Sequence, residues 1–184
     1  MKHPYYILIT GFIVLTEACS NSTNHKKHSV ILDSLRLELD KKIAVFNSID
    51  TSKISRNINI YNANITWMKK HSKDTLSASY LNTLKKYQTV NDPLLFLQNN
   101  FSLMIQDAEF NKQQLQKLSS DLAKKLIDEE KAFEYFTIEK MEAEKMTQVL
   151  QNNYKLAKES IDSFEKYNNE IEKLITTQRL EKNK

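Results

Sequence analysis

The sequence predicts an all-α protein: an elongated helical bundle built on a long antiparallel, coiled-coil-like hairpin, with shorter helices ahead of it. Three observations carry that expectation. The 184 residues include one glycine and two prolines, the residues that supply the φ > 0 positions of tight hairpins and that punctuate loops. Gly11 and Pro4 both fall in the first eighteen residues, so the rest of the chain has no glycine and Pro93 as its one proline. Hairpin-rich sheets and glycine-built phosphate loops scarcely tolerate such a composition. From Val30 onward apolar residues recur three and four positions apart, the period of an amphipathic helix. A hydrophobic content of 40% beside 27% charged residues suits a folded amphipathic chain rather than a disordered one.

Residues 30–90 read as three shorter helices. The first spans Val30 to Ser48, with Leu32, Leu35, Leu39, Ile43 and Phe46 on one face. Asp50, Thr51 or Ser52 offers an N-cap for a second, whose stripe is Ile54, Ile58, Tyr61, Ile65 and Met68. Ser72 or Asp74 caps a third, carrying Leu76, Tyr80, Leu84 and Tyr87. Asn91-Asp92-Pro93 then predicts a sharp boundary, with Asp92 as N-cap and Pro93 at the first helical position, where its missing N–H is not needed. Residues 92–180 read as the long hairpin. Leu94, Leu97, Phe101, Met104, Ala108, Leu115, Leu118 and Leu122 hold one heptad-like phase, and Leu150, Tyr154, Ala157, Ile161, Phe164, Ile171 and Ile175 hold another. Between them the phase slips among Leu126, Phe133 and Phe136. Lys124 and Lys125 suit a helix C-terminus, and Asp128, Glu129 and Glu130 suit a following N-terminus, so the turn is expected near 124–129.

The first residues have a different character. Lys2 precedes the apolar stretch Tyr5 to Leu15, and small Ala18 precedes Cys19, the one cysteine of the chain. The apolar run is shorter than the ~20 residues that a membrane-spanning helix requires, and the three-part plan is that of a secretory signal. Residues 1–18 resemble a bacterial lipoprotein signal peptide, with Leu15-Thr16-Glu17-Ala18-Cys19 in the place of the lipobox; Thr16 stands where leucine is usual, and Glu17 is charged. The resemblance implies that Cys19 is the lipid attachment site and first mature residue, and that a membrane holds the protein through its N-terminal lipid in the cell envelope. Residues 19–29, which carry no aliphatic or aromatic hydrophobe after Cys19, are expected to be a flexible tether.

Little else points to chemistry. His25 and His28 lie on the expected tether without the third and fourth ligands that zinc requires, and His71 falls at the polar C-terminal end of the second helix, where a cation suits the helix dipole. Acidic pairs such as Asp128 with Glu129, or Glu142 with Glu144, alternate with Lys131, Lys140 and Lys145, the pattern of a solvated helix face. We therefore expect no catalytic residue, no metal and no cofactor. The net charge of +4 is mild, and the lysine pairs Lys26-Lys27, Lys69-Lys70, Lys85-Lys86 and Lys124-Lys125 are scattered, whereas nucleic-acid binding requires a concentrated patch. Trp67 and Phe110 lie off the stripes of their helices and are candidate contact residues beside the plainer reading of a wide core face. Asp33-Ser34-Leu35 and Asp74-Thr75-Leu76 resemble a bacterial O-glycosylation sequon.

These readings converge on a non-enzymatic envelope lipoprotein that acts as an interaction, spacer or assembly factor for another envelope protein, or in a homo-oligomer. The alternative is a tethered holdase-type chaperone, for which Ala132-Phe133-Glu134-Tyr135-Phe136 near the expected turn is the stretch that matters.

Overall fold

In the computed structural model the described residues are 7–71 and 78–182, with side chains described for 24–71 and 80–180. Among them are four α-helices and no strand: α1 Ile7–Asn47, α2 Thr51–His71, α3 Ala78–Ala123 and α4 Glu129–Lys182. The chain is all-α, with α3 and α4 as its long helix pair. It divides into two compact units, one from α1 up to Ile43 with Gln106–Gln148, the other from Ala44–Ile105 with the chain from Val149 onward.

In the first unit α1 runs antiparallel to α3 and parallel to α4. Ser29 bonds Ser119 and Asp40 meets Lys112, while Asn24 bonds Glu129 and His28 stacks on Phe136. In the second unit α3 lies antiparallel to both α2 and α4, as the pairs Ser55 with Gln98, Asn64 with Tyr87, and Thr83 with Glu170 show. The buried positions repeat at every seventh residue, His25, Leu32, Leu39 and Phe46 in α1 and Phe136, Ala143, Leu150, Ala157, Phe164 and Ile171 in α4, and in α3 the series Tyr87, Leu94, Ala108, Leu115 and Leu122 passes through the half-buried Phe101. A heptad repeat keeps one stripe of each helix against its neighbours, and the α4 stripe includes the buried alanines Ala143 and Ala157.

Pro93 corrects one expectation. No helix starts there; α3 passes through it from Ala78 to Ala123. Proline in a helix interior costs about 3 kcal/mol through its missing hydrogen bond and its clash with the preceding turn. The seam supplies more than that, because Tyr87, Val90, Leu94 and Leu97 stay in phase across the proline and all are buried, and a buried leucine contributes about 2 kcal/mol. The local signal was real and packing overrode it. The proposed caps Ser72 and Asp74, with Leu76, lie outside the described residues.

A second correction concerns the expected tether. Asn24 to Ser29 belong to α1, and His25 is only 8% exposed. The sequence Ser20 to Ser29 has no aliphatic residue, but His25 and His28 extend the spacing of Leu32 and Leu39 backward by one heptad. Their rings take the part of apolar side chains: His28 stacks on Phe136 with centroids 4.1 Å apart and planes at 9°.

The helix junctions follow from local chemistry. Asp50 caps α2 through a 3.0 Å bond accepted from the Lys53 N–H, and Ser52 donates to the same oxygen. Asp128 caps α4 in the same way through Lys131 N–H at 3.0 Å. Between α3 and α4 the Leu126 N–H reaches the Asp121 carbonyl and the Lys125 N–H reaches the Leu122 carbonyl, each at 3.0 Å. That pair of bonds is a Schellman motif, and Lys125 holds its left-handed position with φ of 56°.

Candidate functional site

The first unit carries a set of polar and aromatic side chains around the turn between α3 and α4. Asn24 on α1 donates from Nδ2 to Glu129 Oε1 at 3.0 Å, which ties α1 to the first residue of α4. One helical turn along, the Ser29 and Ser119 hydroxyls are 2.9 Å apart. Between these ties His28 lies against Phe136 and, tilted, against Phe133 at 6.2 Å. Burial lowers the His28 pKa, and the neighbouring His25 and Lys27 lower it further, against a raising contribution from Glu129. His25 Nε2 and His28 Nδ1 are buried without a hydrogen-bond partner, and for His28, whose pKa is lowered, the neutral ring is the form that this packing accommodates.

Beside the turn, a cleft of about 230 Å³ is lined by Gln114, Lys117, Asp121, Ile127, Tyr135 and Glu139, with Leu118 below. Burial raises the Glu139 pKa and Glu142 raises it further. A cleft of this size lies below the ~300 Å³ at which pockets for drug-sized ligands begin, and what it offers is a polar seat for a small group. Among the described residues no group of three or more His, Cys, Asp and Glu is placed to hold a metal ion.

Around the same turn large apolar side chains stand in solvent. Leu126 is 68% exposed, Phe133 62%, and Met141 58%, with Tyr135 and Ile138 also exposed. Of the stretch 132–136, Ala132 and Phe136 belong to the core, and Phe133, Glu134 and Tyr135 face out. Phe110 is exposed on α3.

The second unit holds a buried polar knot. Asn168 Oδ1 accepts from the Tyr87 hydroxyl and from Asn64 Nδ2, each at 2.9 Å, and its own Nδ2 donates to Glu172 Oε1 at 2.8 Å. Tyr87 is fully buried between Tyr61 and Phe164, and burial pushes its pKa up to about 12. Three helices meet at this knot, and a satisfied buried network of that kind fixes which residues face one another. Trp67 is not a free contact residue: His71 stacks on it at 4.8 Å and the Arg179 guanidinium lies 5.1 Å from its centroid. His71 ends α2, and its Nδ1 lies 2.9 Å from the Trp67 carbonyl.

Cys19 falls on the backbone of α1, and its side chain lies outside the described ones. Of the sequon-like stretches, Ser34 is exposed on α1 with its hydroxyl bonded to the Val30 carbonyl, and Asp74-Thr75-Leu76 lies outside the described residues. Sequence reading missed the roles of His25, Asn64 and Asn168. For His25 the signal was its heptad phase with Leu32; for the two asparagines there was none, since an amide on a helix seam is recognised by what it meets. No family model matches the sequence, and no curated protein or solved structure matches it either.

Proposed function

We propose that this protein is a lipid-anchored, non-enzymatic envelope lipoprotein whose helical body serves as an interaction, spacer or assembly factor for another envelope component. The observation that carries the reading is the lipoprotein-like segment ending in Cys19, which runs directly into a helical unit with large apolar side chains left in solvent. Ile138 and Met141, 46% and 58% exposed, lie on α4 away from its heptad seam and present an apolar surface to a second protein or a second copy. Exposed apolar clusters on a folded surface mark interaction sites. The polar knot at Asn168 fixes which residues face one another within the second unit, as a spacer requires of its parts.

A second reading has its own observation. Phe133 and Tyr135 both face solvent close to the α3–α4 turn, as an anchored holdase for unfolded clients requires.

The test is affinity capture of the tagged, membrane-extracted protein after mild crosslinking in its own cells, with Cys19→Ala as control. One stoichiometric envelope partner that depends on Cys19 supports the assembly factor. A broad set of unrelated exported proteins supports the holdase, and membrane association that Cys19→Ala leaves unchanged contradicts both.

A further inference from the structure

The position of the anchor relative to the fold has a consequence for the end of the first unit. Cys19 and Asn24 are five positions apart, and even a fully extended chain covers no more than about 18 Å in that span. Asn24 is bonded to Glu129, the first residue of α4. An acylated Cys19 therefore holds Asn24 within that distance of the lipid headgroups, and with it the start of α4 to which Asn24 is bonded.

The side chains at this end suit such a neighbour. Leu126 and Phe133 are the two most exposed large apolar residues among the described side chains of the first unit. In a Schellman motif the residue in the place of Leu126 commonly packs on the one in the place of Asp121, but an aspartate offers it no apolar contact, and Leu126 stands 68% exposed. Lys124 and Lys125 precede Leu126 in the turn, Lys26 and Lys27 lie on α1 between Asn24 and His28, and all four are exposed. Residues 24–31 and 124–131 together carry five lysines against three carboxylates; of those three, Asp128 is paired with Lys131 and Glu129 with Asn24. Exposed apolar side chains accompanied by lysines at the end of the unit nearest a lipid anchor match an anionic membrane surface, where the apolar groups enter the interface and the ammonium groups meet lipid phosphates.

We propose that the α3–α4 turn, through Leu126 and Phe133 with its flanking lysines, is a second membrane contact that seats the first unit on the anionic bilayer to which Cys19 is anchored. This inference rests on the lipid-anchored reading above. The docked turn fixes the direction of the body relative to the membrane, which an acyl chain alone does not do.

The full chain, purified with its anchor and reconstituted in vesicles of mixed zwitterionic and anionic phospholipid, tests it. Phe133→Trp and, separately, Leu126→Trp place a reporter on the face, and the unsubstituted chain, whose Trp67 lies in the second unit against His71 and Arg179, gives the baseline. The expected result is a blue shift of the added emission in vesicles, with loss of most of its intensity when the acyl chains are brominated near the glycerol end. Water-like emission from a chain whose N-terminal peptide carries its acyl groups overturns the docked turn and leaves the anchor standing. A blue shift without quenching by brominated lipid also overturns it, since a protein then covers the face. A chain with no acyl group on Cys19 removes the anchored reading and the docked turn with it.

Discussion

Lys125 occupies a backbone position that most helix ends give to glycine, because a Cβ is disfavoured at φ of 56°. The chain beyond residue 18 has no glycine, and the lysine bears the strain. Lys125→Gly is therefore expected to raise stability by about 1 kcal/mol, measured by denaturant unfolding; a destabilising result would mean that the lysine side chain contributes more than the strain removes. His28 sets a pH response. Its folded-state pKa is lowered, chiefly by burial, so the unfolded chain takes up the proton first, near the ordinary value of about 6.5. The contribution is whole above that value and is lost as the pH falls through it. His28→Phe keeps a ring against Phe136 and removes the titration, so its thermal midpoint should fall less than that of the parent between about pH 7 and about pH 5.5; equal slopes would contradict the assignment. The capping carboxyls Asp50 and Asp128 are also lowered, through the hydrogen bonds they accept, but their contribution is present above the ordinary carboxyl range and is lost only below about pH 4, so the two windows separate.

At the scale of the element, the helices were legible where apolar spacing alone decides them. Ile54, Ile58 and Met68 on α2, and Leu94, Leu97, Met104, Ala108, Leu115, Leu118 and Leu122 on α3, are buried as their periodicity implies, while Phe101 on the same stripe is half-buried. Legibility failed where a local rule competed with packing. Pro93 looked like a start and lies inside α3; His25 looked like part of a leash and lies in the core. Pro93→Ala discriminates the two roles: inside a continuous helix it restores a hydrogen bond and should stabilise, by up to about 3 kcal/mol, whereas a proline at a first helical position would give no gain. The knot of Asn64, Tyr87 and Asn168 has its own signature. Because burial raises the Tyr87 pKa to about 12 from 10.0, the neutral phenol is favoured in the fold; its contribution is complete below pH 10 and is lost as the pH rises toward 12. Tyr87→Phe should cost about 1 kcal/mol near neutrality and should remove part of the alkaline sensitivity of unfolding. An unchanged alkaline limb would place that sensitivity elsewhere.

At the scale of the whole molecule, two helical units are threaded by α1, α3 and α4, each of which contributes to both. The all-α class was readable from the lack of glycine and the three-and-four spacing. The two-unit division was not, because the heptads of α3 and α4 run on through it without a mark in composition. The candidate site was half readable: Phe133 and Tyr135 were singled out by their place near the turn, while the exposure of Leu126 depends on a Schellman geometry that the sequence does not announce. The functional reading joins this surface to the N-terminal segment, and everything in it depends on Cys19. The most direct measurement is mass spectrometry of the N-terminal peptide from the protein isolated from its own membranes. A peptide that begins at Cys19 and carries the mass of its acyl chains is the result expected. A chain with residues 1–18 still attached, or one cut elsewhere with an unmodified thiol, would contradict the anchored protein proposed above.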